Sequence, residues 1–359
     1  MVVVFPLLLT FLLAASAAAQ QPKAARVEDR PRFATTVSVV TAPVTVTGPD
    51  DRYVAGLAKE HFRIFDNDTS QEITGFDVSF LPISLVLCVQ SSERVESWLP
   101  QIRKTGILYS DLVIGESGEA ALISFDGRVE VRQEFTRDST KFIDAVKKIK
   151  IGSDATHMAD AVWQAIRMLR ARPDNHRKVI VIVAESREDG SETSLGEALR
   201  DAQVHNIIIY SVKLSAAKGR LMRKPEPRRD PVPPGVAGRP LPPGVVGTPT
   251  AVAQSRYEVV DALPVIIEMV RGVKNLIFND PLQLLTQGTG GKELSPLTQK
   301  GMEVSVTRIG EELRSQYLLT YRPNNLETGG FHRIRVELAV NGLKSRTRPG
   351  YWLGPIPNE

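Results

Sequence analysis

The sequence predicts an α/β protein whose core is a doubly wound, mostly parallel β-sheet. Its middle contains three short, largely apolar runs at Leu85–Val89, Val179–Val183 and Ile207–Val212. Amphipathic segments of helical period alternate with them, and Met158–Arg172 is the clearest. Runs that are apolar on both sides are typical of parallel strands covered by helices. The alternation therefore favours a parallel sheet with helices on both faces.

Local signals predict the elements of this region in chain order. Strand Ile83–Val89 precedes a predicted helix over Glu93–Leu112. Asp126-Gly127 stands between two apolar runs and indicates a hairpin, because Asp-Gly fits the tight turn between antiparallel strands. The predicted helix over Asp138–Lys150 begins with a capping residue. Helix Ser194–Val204 then precedes the last strand of the alternation.

Two segments rich in β-branched residues flank the α/β region. The N-terminal one contains Val44–Thr47, Phe62–Phe65 and Gln71–Phe76, separated by polar turns. Near the C-terminus, Phe331–Leu338 and Arg346–Trp352 alternate in the same way. Such short runs are typical of antiparallel strands. We expect the two segments to form a small accessory β-sandwich into which the α/β domain is inserted.

The composition changes after the α/β alternation. Lys218–Pro249 is rich in Pro, Gly and Arg, and such a segment cannot bury enough apolar area to order itself. We interpret it as a disordered or polyproline-like insertion; a ligand for a proline-recognition module is the alternative. Structure should resume with helices over Val259–Phe278 and Gly301–Leu313, with a tight turn at Gly288–Gly291.

The N-terminus is interpreted as an export signal. Met1–Ala19 is almost wholly apolar and ends in Ala17-Ala18-Ala19, although no Lys or Arg precedes the apolar run. A hydrophobic core followed by small residues is typical of a cleaved signal peptide; an uncleaved anchor is the alternative. We therefore predict an exported protein, periplasmic or extracellular. No second long apolar stretch follows, so we expect no stable membrane insertion after cleavage.

These signals divide the chain into seven segments. They are a signal peptide (1–19), a disordered N-terminus (20–35), an N-terminal β segment (36–80), the first part of the α/β domain (81–214), a Pro- and Gly-rich disordered insertion (215–256), the remaining helices of the α/β domain (257–315) and C-terminal strands that pack with the N-terminal segment (316–353).

The end of the first predicted strand resembles a von Willebrand factor type A (vWA) domain. In that family the strand runs into Asp-x-Ser-x-Ser, the core of a metal-ion-dependent adhesion site. On this chain the Asp position is Gln90, the first Ser is Ser92 and the second Ser is Arg94. Thr156 matches the Thr of a second loop, and Glu185 stands where a third loop has Asp. The resemblance implies a vWA fold with a degenerate metal site.

The resemblance extends to a group of bacterial secreted vWA-related proteins. It covers about Val37 to Trp352, apart from the Pro-rich insertion, and its most specific phrase is Arg314–Pro323. In vWA domains the loops at the carboxyl edge of the sheet hold a protein partner. The resemblance therefore implies a binding module of the adhesion or assembly type.

The altered positions argue against a metal ion. Mg²⁺ prefers near-octahedral oxygen ligands that include carboxylates, whereas Arg94 keeps its positive charge under all ordinary conditions. The remaining candidate metal ligands are Ser92, Thr156 and Glu185. Three more acids would be available to a weak Ca²⁺ site: Asp154, Glu188 and Asp189. Two outcomes stay open, weak Mg²⁺ or Ca²⁺ binding and an internal Arg94–Glu185 ion pair; we expect no cofactor.

Composition excludes several function classes. The formal net charge is +4, from 45 basic and 41 acidic residues, and no basic stripe is interleaved with aromatic residues, so we expect no nucleic-acid binding. Cys88 is the one cysteine, so no intrachain disulfide is possible. We find no Ser/His/Asp set, phosphate-binding Gly loop or metalloprotease motif, and predict that the chain is not an enzyme.

The sequence thus predicts a non-catalytic extracytoplasmic protein-binding module. Its partner, an unidentified extracytoplasmic protein, would contact the loops around Gln90–Glu93, Thr156 and Glu185–Asp189. There Arg94 would attract a partner carboxylate in place of the metal. The alternative is a metal-dependent adhesion factor with a repurposed Mg²⁺ or Ca²⁺ site.

Overall fold

The structure, a computed structural model, describes residues 39–78, 81–109, 117–215, 280–325 and 330–353. The predictions for segments 1–19 and 20–35, for nearly all of the insertion 215–256 and for the helix Val259–Phe278 lie outside these residues. No helix within the described ranges is both long enough and apolar enough to span a membrane.

The described residues form fourteen strands and six α-helices. The strands are β1 Val40–Thr47, β2 Phe62–Asp66, β3 Thr69–Gln71, β4 Ile73–Asp77, β5 Ile83–Gln90, β6 Glu119–Phe125, β7 Val129–Thr136, β8 Arg177–Ala184, β9 Ile208–Lys213, β10 Glu293–Leu294, β11 Tyr317–Tyr321, β12 Gly330–Leu338, β13 Lys344–Thr347 and β14 Gly350–Leu353. The helices are α1 Leu99–Leu108, α2 Ser139–Lys147, α3 Met158–Arg170, α4 Leu195–Val204, α5 Pro281–Thr289 and α6 Gln299–Ser315.

The central sheet has the strand order β10-β9-β8-β5-β6-β7. Its strand pairs are parallel except β6 with β7, the hairpin predicted from Asp126-Gly127. Every residue of β5 and of β8 is buried, because helices cover both faces of these strands. The predicted doubly wound, mostly parallel α/β fold is confirmed.

Side chains of β5 alternate between two apolar layers, as the two-residue period of a strand requires. Val86 and Cys88 pack on one face with side chains of α3, α4 and α5. Leu85 and Leu87 pack on the other with side chains of α1, α2 and α6. The free thiol of Cys88 is fully buried and acts as a small apolar side chain.

The segment after β5 differs from the predicted single helix over Glu93–Leu112. It begins as a 3-10 helix over Glu93–Trp98, and α1 starts only at Leu99. Pro100 explains the change, because a proline has no N–H to donate and is tolerated only in the first turn of an α-helix. Residues 110–112 lie outside the described part.

The predicted tight turn at Gly288–Gly291 is instead the end of a helix. Gly288 and Thr289 still belong to α5, and Gly290 ends it with a φ of 81°. This left-handed conformation favours glycine. A side chain at Gly290 would also meet the backbone nitrogen of Arg348 at 2.6 Å. The glycine therefore lets the C-terminal strands approach the end of α5.

Strands from both ends of the chain form the accessory β-sandwich. One antiparallel sheet has the order β13-β1-β11-β4 and the other the order β14-β12-β2-β3. N-terminal and C-terminal strands are thus neighbours in both sheets. The apolar layer between them also draws on both ends, for example on Val44, Ile64, Leu319 and Val336. The predicted accessory sandwich is confirmed.

A buried polar cluster joins the two sheets of the sandwich. The Asp66 carboxylate accepts hydrogen bonds from the hydroxyls of Tyr321 (2.9 Å) and Tyr351 (2.7 Å), and His332 Nδ1 lies 2.7 Å from it. Burial would raise the pKa of Asp66, but hydrogen bonds from His332, Tyr351 and Asn325 outweigh it and hold the pKa below its ordinary value. The cluster therefore keeps a charged carboxylate inside the sandwich.

Glu312 of α6 connects the sandwich to the α/β domain. Its buried carboxylate accepts hydrogen bonds from Tyr210 of β9 (2.7 Å), from Tyr53 (3.1 Å) and from Thr45 of β1 (3.2 Å). It also pairs with Arg346 of β13. One buried carboxylate thus contacts side chains of both the sandwich and the α/β domain.

We predict that Glu312→Gln lowers the free energy of unfolding by about 2 kcal/mol, because the half-buried Arg346 loses its counter-ion and the hydroxyls of Tyr210 and Thr45 lose a charged acceptor. Urea denaturation measures the loss. Glu311→Gln removes the same charge from an exposed neighbour on the same helix, and its effect should stay within about 0.5 kcal/mol. Equal losses in the two variants would contradict the role of Glu312.

Candidate functional site

All five positions singled out from the sequence meet at the carboxyl edge of the central sheet. Gln90 ends β5, Glu185 follows β8, and Thr156 lies in the loop before α3. These three side chains and Ser92 are buried, whereas Arg94 is half-buried at the rim. The carboxyl edge is where open α/β sheets place their binding sites.

Backbone hydrogen bonds hold the edge loops together. Ser91 N–H donates to Phe125 O (2.7 Å), and Gly152 N–H donates to Ser91 O (2.8 Å). Asp189 N–H donates to Thr156 O (2.9 Å), which links the loop after β8 to the loop before α3. The edge is therefore preformed.

Asp126 has a second role that sequence reasoning missed. Its carboxylate accepts from Ser153 N–H (2.7 Å) as well as from Arg128 N–H within its own turn (2.8 Å). A side chain at Gly152 would collide with it, at 1.5 Å from Asp126 Oδ2. The Asp-Gly turn signal predicted the hairpin but held no information on this contact with the loop that carries Thr156.

Gln90 lies at the centre of the site, and one contact fixes its amide. The backbone N–H of Glu185 donates to Gln90 Oε1 (2.8 Å), so Nε2 must point the other way. Nε2 donates to Ser92 Oγ at 2.7 Å and lies 3.3 Å from Thr156 Oγ1 and 3.4 Å from Glu185 Oε1. Its N–H groups thus face the three oxygens that were candidate metal ligands.

Arg94 forms a two-point ion pair with Glu185. Its Nε donates to Oε1 and its Nη2 donates to Oε2 at 3.2 Å. The hydrogen bond to Glu185 raises the pKa of Arg94 more than desolvation lowers it, and the charges of Asp154 and Asp189 raise it further. Of the two outcomes left open by the sequence, the structure contains the internal ion pair.

The acids considered for a Ca²⁺ site are engaged elsewhere or exposed. Glu188 accepts from Ala159 N–H at the start of α3 (2.8 Å) and from Ser191 N–H in its own loop (3.1 Å), so both of its oxygens are engaged. Burial raises the pKa of Glu188 despite these bonds. Asp189 pairs with Arg187 at 2.7 Å, and Asp154 is exposed.

The residues present do not fit a divalent cation. A metal needs oxygen lone pairs directed at one point, yet here N–H groups of Gln90 face those oxygens and a guanidinium lies against Glu185. Within the described part of the chain, no group of three or more His, Cys, Asp and Glu side chains is arranged to hold a metal.

An open groove of about 820 Å³ lies beside the ion pair. Arg94 and Glu185 form one wall, and Lys213 and Asp280, which pair with each other, form another. Leu297 stands at its rim and is 71% exposed. The sequence did not predict Lys213, Asp280 or Leu297 here, because they are distant in the chain and carry no motif.

Comparison with known proteins identifies the α/β domain. Residues 111–191 match the family model of the von Willebrand factor type A domain. The α/β domain has a vWA-like fold. Thr156 and Glu185 fall within the matched residues, and the resemblance to vWA-related proteins is confirmed.

Solved vWA-containing and related structures are similar to parts of the chain at low identity. Conserved hypothetical protein BatB from Bacteroides thetaiotaomicron is 13% identical, with 64% of this chain and 99% of that chain covered and a TM-score of 0.40. An aerotolerance-related membrane protein from Bacteroides fragilis is 11% identical (64% and 98%, TM-score 0.39). The vWF domain of the type V pili tip protein Mfa5 from Porphyromonas gingivalis is 17% identical (31% and 40%, TM-score 0.28). No curated protein matches the chain.

We predict that Arg94→Ala lowers the free energy of unfolding by about 2 kcal/mol, because the buried Glu185 carboxylate loses its charged donors. Chemical denaturation measures the effect. Arg187→Ala breaks the neighbouring, more exposed pair with Asp189 and should cost less than about 1 kcal/mol. A loss for Arg94→Ala no larger than for this control would show that the edge does not depend on the ion pair.

Proposed function

We propose that this vWA protein is a non-catalytic, extracytoplasmic protein-binding module that engages its partner without a metal ion. The vWA match indicates a protein-interaction module. The proposal has three parts. The protein binds its partner without a metal ion, its role is adhesion or assembly, and it acts in the periplasm or outside the cell. The partner is an unidentified extracytoplasmic protein.

The contacts of Glu185 carry the proposal. A buried carboxylate needs a cation or several N–H donors, and this one has Arg94 together with the amide of Gln90. One task of a metal at an adhesion site, joining the edge loops around a fixed charge, is thus left to side chains. Such an edge needs no ion to keep its shape.

Recognition then depends on surface complementarity more than on a single charge. Glu185 already neutralises Arg94, and Asp154 and Asp189 add negative charge nearby. The earlier expectation that Arg94 attracts a partner carboxylate is therefore weakened. The open groove beside it, with the exposed Leu297 at its rim, offers an apolar contact instead.

Two further observations support the proposal. Met1–Ala19 has the composition of an export signal. At the edge itself, the hydroxyl of Ser92 accepts a hydrogen bond from an amide rather than donating to a general base, which is not how a nucleophile is activated. The alternative is a metal-dependent adhesion factor. No feature of the geometry at the ligand positions favours it.

Site-specific photo-crosslinking in cell-envelope extracts tests the proposal. With the photoreactive residue at position 297 we predict adducts with a discrete partner, in equal yield in EDTA and in Mg²⁺, because no ion completes the site. The same residue at exposed position 147 on α2 is the matched control and should give none. Adducts that need Mg²⁺, or equal adducts at both positions, would contradict the proposal.

A further inference from the structure

The two arginines that line the open groove already have carboxylates of this chain as partners. Arg94 forms its two-point ion pair with Glu185. Arg187 pairs with Asp189 at 2.7 Å. The positive charge of each guanidinium is therefore balanced within the protein, and neither needs a carboxylate from a partner.

The lysine of the opposite wall has two carboxylates for its one charge. Lys213 pairs with Asp280 at the start of α5 and lies 3.5 Å from Glu293 of β10. Burial raises the pKa of Glu293, the charge of Asp280 raises it further, and the charge of Lys213 does not reverse the shift. This side of the groove thus has more carboxylates than cations.

Carboxylates also dominate the loops beside the ion pair. Asp154 is exposed, and the side chain of Asp189 is 43% exposed. The negative charges of both act on Arg94, which places them beside the groove wall that this arginine forms. The loop after β8, residues 185–194, carries four carboxylates and one guanidinium.

The acidic character is local to this edge. The chain as a whole has a formal net charge of +4. A basic ligand that binds at the groove therefore does so against the overall charge of the protein, and its binding reports the local field. General attraction between oppositely charged molecules would favour an acidic ligand instead.

An apolar contact stands within this charged surround. Among the large apolar side chains of the described residues, Leu297 is the most exposed, at 71%. It lies at the rim of the groove next to Pro296, which is buried. An apolar contact bordered by polar and charged groups is typical of protein–protein interfaces.

We infer that the partner presents a basic segment to this groove, with lysine or arginine side chains on both sides of an apolar one. The cations of the segment lie against Asp154 and Asp189, and its apolar side chain lies against Leu297. Opposite charges at the rim speed association and exclude acidic surfaces. The inference rests on the proposed function and reverses the sign of the partner charge that Arg94 suggested in the sequence.

Fluorescence anisotropy of the full chain with three labelled peptides tests the inference. The peptides have equal length and a central leucine that is flanked by lysines, by glutamines or by glutamates. We expect the lysine peptide to bind most tightly and the glutamate peptide least. Its affinity should fall when sodium chloride rises from about 50 to about 300 mM, because salt screens exposed charges. Absence of lysine-peptide binding, or equal binding of the lysine and glutamate peptides, would overturn the inference.

Variants locate the binding on the acidic rim. The double variant Asp154→Asn, Asp189→Asn should weaken the lysine peptide about fivefold, because two exposed ion pairs are lost. Asp174→Asn removes an exposed acid before β8, at the other end of the strands, and should leave the affinity unchanged. These side chains are exposed, so the variants keep the fold. Unchanged affinity in the double variant, or an equal loss in Asp174→Asn, would overturn the inference.

A third variant tests the apolar contact, and crosslinking separates the two proposals. Leu297→Ser should weaken the lysine and glutamine peptides alike, and an unchanged affinity of both would contradict the placement of the segment. Adducts at position 297 without lysine-peptide binding would retain the protein-binding module and overturn the basic partner. Lysine-peptide binding without adducts would support the acidic groove and count against the proposed module.

Discussion

The carboxylate of Glu185 is the group on which the carboxyl edge of the central sheet depends. Removing a charge from water is costly unless other charges or N–H donors replace the water. Here Arg94 supplies the charge, and Gln90 joins the carboxylate to the hydroxyls of Ser92 and Thr156. Three loops that are far apart in the sequence are thereby tied together. In a metal-dependent site an ion would join the loops. Here the chain itself provides both the carboxylate and the groups that pair with it.

A second buried charge joins the sandwich to the α/β domain. The carboxylate of Glu312 contacts side chains of β1, β9 and β13 at one point. The carboxyl edge of the sheet borders the open groove, whereas the amino-terminal edge faces the sandwich across a second cavity. The two ends of the parallel strands therefore differ. Hydrogen-bonded loops lie at the carboxyl end, and the buried guanidiniums of Arg177 and Arg348 lie near the other end.

Local sequence patterns predicted those features of the fold that depend on a few neighbouring residues. The apolar run of β5, the Asp126-Gly127 turn and the Asp138 cap each act over a few residues, and all three are present. The family resemblance placed the five edge positions. Contacts between distant residues could not be predicted, because no periodicity marks them: Thr45 and Glu312 are 267 positions apart, and Arg348 and Gln203 are 145 positions apart.

The most direct test of a metal-free edge is calorimetric titration of the purified chain with Mg²⁺, Mn²⁺ and Ca²⁺. We predict no binding heat for the natural sequence. We also predict that the double variant Gln90→Asp, Arg94→Ser gains binding, because a carboxylate and a hydroxyl replace the amide and the guanidinium. Submillimolar binding by the natural chain that Glu185→Ala abolishes would contradict the account.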